Sequence, residues 1–162
     1  MGEWLGSGCV TEATGVLNVR ADGDGLSRAI QVAFADAGIS PDAVGLVVAH
    51  GNGTPASDAS EAAALKRVFG NNIPPVTAFK WAFGHLIAAS GILDVTLALK
   101  ALEQRVAPGI PTLQSVDPEF PWLSVRPDAQ PACSGVALVC CRGFGGMNVA
   151  VLVRAGKSRS AA

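Results

Sequence analysis

Three side chains of this sequence combine a titratable group with a setting that could put it to chemical use: His50, Lys80 and His85. His50 closes a short apolar run, VGLVVA from Val44 to Ala49. Lys80 and His85 stand at the head of a long one, KWAFGHLIAASGILDVTLALKAL from Lys80 to Leu102. From His85 onward the long run is almost wholly apolar or small, with Ala88, Ala89, Ser90 and Gly91 where most helices carry charge. As a helix ending near Arg105 it is expected to be buried on every side, lying between layers. Titratable groups just before and at the first turn of such a helix feel both its dipole and the loss of water, the two influences that move a protonation equilibrium. A plain core has no use for them.

The elements that must position these groups read as an alternation of strands and helices. Gly8 to Val19 is β-branched with turn residues at its flanks, which predicts a first strand. Asp24 to Ala37 carries Leu26, Ile30, Ala33, Phe34 and Ala37 at helical spacing and is closed by Gly38, with Ser40-Pro41-Asp42 as the turn beyond. Val44 to Ala49 reads as a central parallel strand that delivers His50 to its carboxyl end, where ligands bind in layered α/β sheets. After the loop GNGTP, Ser57 or Asp58 is placed to cap a helix running to Phe69, with Glu61 positioned to complete a capping box. Pro74 to Ala78 predicts a short strand, and the long apolar helix follows. The prolines from Pro108 to Pro131 then spread through a connection with little regular structure. Gly135 to Cys141 and Met147 to Arg154 predict two strands around the turn GFGG. The order β-α-β-α-β-α-β-β implies an α/β fold, a layered mixed sheet closed by an antiparallel carboxyl-terminal hairpin. It forms one domain over residues 1–155, followed by a frayed tail over residues 156–162.

Composition narrows the function classes. The chain has 162 residues, 49% hydrophobic and 15% charged, with a net charge of −1. It is too apolar to be disordered, and it has no Lys/Arg run to meet nucleic acid or an acidic membrane surface. Asp94 and Lys100 interrupt the best candidate for a membrane span, and Met1 to Gly8 lacks the pattern of a leader. The expectation is a soluble, cytoplasmic protein whose partners are proteins or small molecules. Its four cysteines, Cys9, Cys133, Cys140 and Cys141, have no metal-ligand spacing and are expected to be buried thiols. The adjacent pair Cys140 and Cys141 would point to opposite faces of a strand.

Three stretches in register, HGNGTPASDASEAAALKRVFG, PVTAFKWAFGHLIAASG and GFGGMN, resemble the carboxyl-terminal half of a β-ketoacyl-acyl carrier protein synthase, a condensing enzyme of the thiolase superfamily. The resemblance runs from the first strand to Arg154. It implies a three-layer α/β/α thiolase-like half, dimerisation, and Claisen condensation of an enzyme-bound acyl group with a malonyl unit on the phosphopantetheine arm of an acyl carrier protein. No cofactor of its own and no metal are implied. Carried over by motif, His50, Lys80 and His85 are the expected catalytic residues. The two imidazoles would donate to the thioester oxygen as decarboxylation makes it an enolate, and Lys80 would orient the site and bias the histidine tautomers. Glu61 and Asp94 stand where the family carries acids, and one or both are expected to partner Lys80. Phe144 matches the phenylalanine that gates the nucleophile, while Asn52 and Thr54 match residues that meet the pantetheine arm.

The departures are as informative as the matches. Asn52 replaces a threonine, and Arg142 stands where an aromatic residue usually precedes GFGG, which is expected to bring a charge near the acyl pocket. The family's nucleophilic cysteine lies in the amino-terminal half, in a small-residue motif that ends a strand and opens a helix. None of the four cysteines here has that setting, so the nucleophile is expected from an amino-terminal half. Two readings follow. The chain is either the decarboxylating half of a ketosynthase or a non-catalytic subunit, resembling a chain-length factor or a degenerate ketosynthase, that binds a complete synthase. Taken singly, each residue also has a plainer role: Lys80 a surface lysine at a helix start, Glu61 a capping residue, Asp94 a buried acid tied to a backbone group or a water, Phe144 packing under a glycine turn.

Overall fold

A computed structural model describes residues 2–156 of the chain; Met1 lies outside them, as does all but the first residue of the expected tail. A mixed five-stranded sheet carries the fold. Its strands are β1 (Gly2–Thr11), β2 (Leu46–Val48), β3 (Val76–Thr77), β6 (Val136–Gly143) and β7 (Met147–Ala155), in the order β1-β7-β6-β2-β3. The pairs β1/β7 and β7/β6 are antiparallel, whereas β6/β2 and β2/β3 are parallel. A two-stranded ribbon, β4 (Val106–Ala107) with β5 (Gln130–Pro131), is the only pairing found within the long proline-rich connection among the described residues.

Alternation along the strands divides the core into two layers, because successive side chains of a strand point to opposite faces. Val47, Leu138, Cys140, Ala150 and Leu152 face the helices α1 (Asp24–Ala37) and α2 (Pro55–Phe69). Leu46, Val48, Ala137, Val139, Val151 and Val153 face α4 (Ser90–Glu103). The result is the expected three-layer α/β/α arrangement with an antiparallel closing hairpin. Helix α1 occupies the span read from its periodicity and ends on Gly38, whose φ of 64° is left-handed. It lies so close to β1 that a Cβ on Gly8 would come within 2.0 Å of the Ala29 carbonyl oxygen.

Several expectations need correction. The first strand is Gly2–Thr11, and residues 12–19 leave the sheet, because β1 pairs with β7 from Gly2↔Ala155 only as far as Thr11↔Met147. The run from Lys80 to Leu102 is not one helix. A single turn, α3 (Lys80–Phe83), stops at Gly84, whose φ and ψ of 72° and 179° are open to glycine alone. A 3-10 turn at Ile87–Ala89 then leads into α4. Nor is the run buried on every side: after the buried Lys80, residues 81–89 are all exposed, and within α4 the buried residues are the stripe Ser90, Asp94, Ala98, Ala101 and Leu102. Helix α2 starts at Pro55 behind Thr54, ahead of the expected cap at Ser57 or Asp58, and Glu61 forms no capping box. Of the four cysteines only Cys140 is buried; Cys9 and Cys133 are exposed and Cys141 is partly so.

Candidate functional site

His50 follows β2 one residue beyond its end, at the carboxyl edge of a parallel strand in the sheet, and only 2% of its surface is exposed. The loop carrying it is held by Glu61, nearly two turns into α2. The two carboxylate oxygens accept from two successive peptides, the His50 N–H at 2.8 Å and the Gly51 N–H at 3.0 Å. Glu61 is 3% exposed and does not partner Lys80. Burial pushes its carboxyl above the ordinary value, and the two N–H donors oppose that shift. Its work is to fix a turn, which no i, i+3 spacing within the helix could reveal.

The ring of His50 is oriented from the sheet. Its Nδ1 accepts the backbone N–H of Arg142 on β6 at 3.3 Å. An imidazole nitrogen that accepts from an N–H carries no proton, so the neutral ring holds its hydrogen on Nε2. Burial, and after it the electrostatic influence of Lys80, His85 and Arg142, holds the His50 imidazole down to about 3. The ring is therefore neutral at physiological pH, a donor without a charge.

His85 is set by a different device. It lies in the exposed loop between α3 and the 3-10 turn, and its Nδ1 accepts the Ile87 N–H at 3.0 Å, with the Ser90 hydroxyl also at 3.0 Å. The same argument places its hydrogen on Nε2. Ile87 reaches this position with φ of 53°, a left-handed angle that a β-branched residue adopts only where the surroundings enforce it. The two imidazoles meet edge to face, their centroids 5.3 Å apart and their planes at 76°.

Lys80 begins α3 and its Nζ reaches Asp94 Oδ2 on α4 at 2.9 Å, the two side chains 6% and 3% exposed. This bond ties the short helix to the long one across the exposed loop that carries His85. Burial raises the Asp94 carboxyl above its ordinary value, against the opposing pull of the Lys80 ammonium.

A cavity of about 570 Å³ opens beside the two histidines. Asn52 and Thr54 line it from the loop before α2, with the Asn52 carboxamide oxygen accepting from the Thr54 hydroxyl at 2.7 Å and from the Thr54 N–H at 3.0 Å. Phe144 stands at its edge on the β6–β7 turn, 68% exposed and thus not packed beneath the glycines. Cys141 also lines it, but burial raises that thiol, and raises the Cys140 thiol further, so neither is a ready thiolate. Arg142 also lines the cavity, as its position in the sequence leads one to expect, and its guanidinium donates to the Ser57 carbonyl at 3.1 Å and the Ser60 hydroxyl at 3.0 Å on α2. Among the described residues no group of three or more His, Cys, Asp or Glu side chains could hold a metal ion, and no helix is long and apolar enough to cross a membrane.

A mixed sheet between two helix layers, closed by an antiparallel hairpin, is a thiolase-like architecture. The chain belongs to the family described as "Beta-ketoacyl synthase, C-terminal domain", whose model matches residues 1–114. It is 40% identical over 133 residues to the tetracenomycin polyketide synthase ketoacyl synthase beta subunit of Streptomyces glaucescens, covering 80% of this chain and 32% of that protein. It is 34% identical over 151 residues to 3-oxoacyl-[acyl-carrier-protein] synthase 2 of Synechocystis, covering 91% and 36%. The chain thus spans about a third of the length of these relatives. Similar solved structures include a type II polyketide synthase acyl-carrier protein in complex with its ketosynthase bound to the hexaketide, with a TM-score of 0.90 and 27% identity over 96% of this chain and 38% of that one. A ketosynthase in complex with its chain length factor from Xenorhabdus doucetiae gives a TM-score of 0.88 and 27% identity, over 96% and 39%.

Proposed function

We propose that this chain supplies the decarboxylating half of a β-ketoacyl-acyl carrier protein synthase in fatty acid or polyketide synthesis. The observation that carries the reading is the pair of histidines. Each has Nδ1 occupied by a backbone N–H, so each offers Nε2–H as its donor beside one cavity. A malonyl thioester bound there breaks its bond to the carboxylate carbon, carbon dioxide leaves, and the electron pair passes into an enolate whose oxygen takes both hydrogen bonds. Donors already oriented towards the place where charge develops stabilise the transition state without reorganising. A neutral His50 suits the task, because it contributes a donor without bringing a charged ring into a buried site.

In this reading the enolate carbon attacks an acyl thioester on a cysteine supplied by an amino-terminal half, since the raised thiols of Cys140 and Cys141 are unsuited to that role. Lys80 and Asp94 hold the His85 loop, Asn52 and Thr54 meet the pantetheine arm, and Phe144 gates the acyl entrance. The partners are an acyl carrier protein and a second ketosynthase subunit in a dimer. The setting is the cytoplasm, and no cofactor is needed beyond the carrier's phosphopantetheine.

The test uses a complex of this chain with an amino-terminal half bearing the cysteine, with acylation and carbon dioxide release followed separately. His50→Ala or His85→Ala should slow decarboxylation by on the order of a hundredfold or more and leave acyl transfer intact. Carbon dioxide release at the parental rate in both variants would overturn the assignment.

A second reading is favoured by the similarity to a ketoacyl synthase beta subunit and to a ketosynthase seen with its chain length factor. The chain would then dock on a complete synthase and shape its acyl tunnel. Product length would change with substitutions at the cavity edge, and the histidine variants would leave turnover unaltered.

A further inference from the structure

Arg142 is a buried cation where the family pattern has an aromatic residue, and its contacts converge on His50. It is 8% exposed, and among the described residues no carboxylate forms an ion pair with it. Instead its guanidinium donates to the Ser57 carbonyl and the Ser60 hydroxyl in the first turns of α2, while its own peptide N–H donates to His50 Nδ1. Helix α2 in turn holds the His50 peptide through Glu61. We propose that Arg142 is a positioning residue for His50: by fastening β6 to α2 it brings together the peptide N–H that sets the ring's tautomer and the Glu61 carboxylate that holds the His50 peptide at the cavity. The inference concerns the same site as the proposed function and rests on that reading for its catalytic meaning, but not for the contacts themselves.

The geometry makes the side chain necessary as well as the backbone. The Arg142 N–H to His50 Nδ1 contact is 3.3 Å, long for such a bond, so a small separation of strand from helix would lose it. Two divergent N–H groups of one planar guanidinium span Ser57 and Ser60 together, which a lysine ammonium on a flexible stem cannot reproduce in the same way. Ser60 is itself anchored, its hydroxyl donating to the Arg20 carbonyl at 2.5 Å, so the acceptor cannot follow a displaced Arg142. The charge acts on His50 as well. Lys80 on α3, His85 in the loop beyond it and Arg142 on β6 act electrostatically on the ring, while Glu61 on α2 holds its peptide, and after burial the Arg142 charge is among the influences that disfavour protonating it.

The test reads the His50 ring itself, by the imidazole nitrogen shifts of the 15N-labelled chain, and needs no catalysis. The parent should show Nε2–H at neutral pH. Arg142→Met should give a folded protein in which a measurable fraction of His50 carries its hydrogen on Nδ1, and in which the ring takes up a proton at higher pH than in the parent. Arg142→Lys, which keeps the charge but not the fork, should restore most of the titration and little of the tautomer. Ser60→Ala removes one acceptor and leaves the cation in place, and it should shift the tautomer in the same direction even if Arg142→Met fails to fold. Unchanged His50 shifts and titration in a folded Arg142→Met, or in Ser60→Ala should Arg142→Met not fold, would overturn the proposal. Should the ring respond as expected while the histidine variants still release carbon dioxide at the parental rate, the positioning role stands and the proposed function falls.

Discussion

Removing either partner of the Lys80–Asp94 pair should damage the fold far more than removing both. The ammonium and carboxylate sit 2.9 Å apart with side chains 6% and 3% exposed, so neither can turn to solvent when its partner is lost. A stranded buried charge typically costs ~3–5 kcal/mol, whereas replacing the whole pair by apolar residues of similar volume is often neutral or better. Lys80→Met and Asp94→Leu should therefore each lose ~3–5 kcal/mol, and the double variant should return to within ~1 kcal/mol of the parent. The assay is urea unfolding of the four proteins as a double-mutant cycle. With a slope of about 2 kcal/mol per molar, each single change moves the midpoint by roughly 1.5–2.5 M. A single variant that fails to fold still supports the argument if the double variant folds. Single losses under ~1 kcal/mol would refute it, since they are what a solvated surface pair gives.

Three further outcomes follow from the site. The His50 imidazole is held down to about 3 from an ordinary 6.5, so the unfolded chain binds a proton that the folded one refuses. Its contribution is complete above about 6.5 and is lost as pH falls towards 3, at up to ~1.4 kcal/mol per pH unit, and His50→Gln should remove that part of the slope in urea unfolding measured at successive pH values. Glu61→Leu strands the His50 and Gly51 N–H groups and should cost ~1–3 kcal/mol for each, read by thermal unfolding, with a loss no greater than that of an ordinary surface change counting against the role assigned here. Ile87→Gly relieves a left-handed isoleucine whose side chain is 60% exposed, and should leave stability equal or raise it by ~1 kcal/mol; a clear loss would mean that the side chain rather than the backbone angle is what the loop needs.

What the sequence disclosed and what it hid divide along the range of the interactions. Helix α1 was legible because its period and its terminating Gly38 are local, and the β6–β7 hairpin because the glycines of GFGG can turn a chain without outside help. The three residues at the heart of the site were legible through motifs in register. The task of Glu61 was hidden, because its two acceptors serve peptides ten and eleven residues back, a relation that a helical pattern does not encode. The work of Arg142 was hidden more deeply, since a residue on β6 meets Ser57 across 85 positions of chain.

The apolar run from Trp81 to Ala89 marks a different limit. Hydrophobic content shows that a segment prefers to leave water, but not which surface will cover it. Trp81, Phe83, Leu86 and Ile87 remain exposed, and Ile87 joins the exposed Val16, Leu17, Phe144 and Met147 around the cavity beside the histidines. Reading the run as a helix buried within this chain assigned it a cover that the described residues do not supply. Exposed apolar side chains gathered at one cavity, as Val16, Leu17, Ile87, Phe144 and Met147 are, are characteristic of a site that meets another protein or a ligand. Under the proposed function both are expected here, because the acyl chain and the body that carries the nucleophilic cysteine must reach the same two imidazoles.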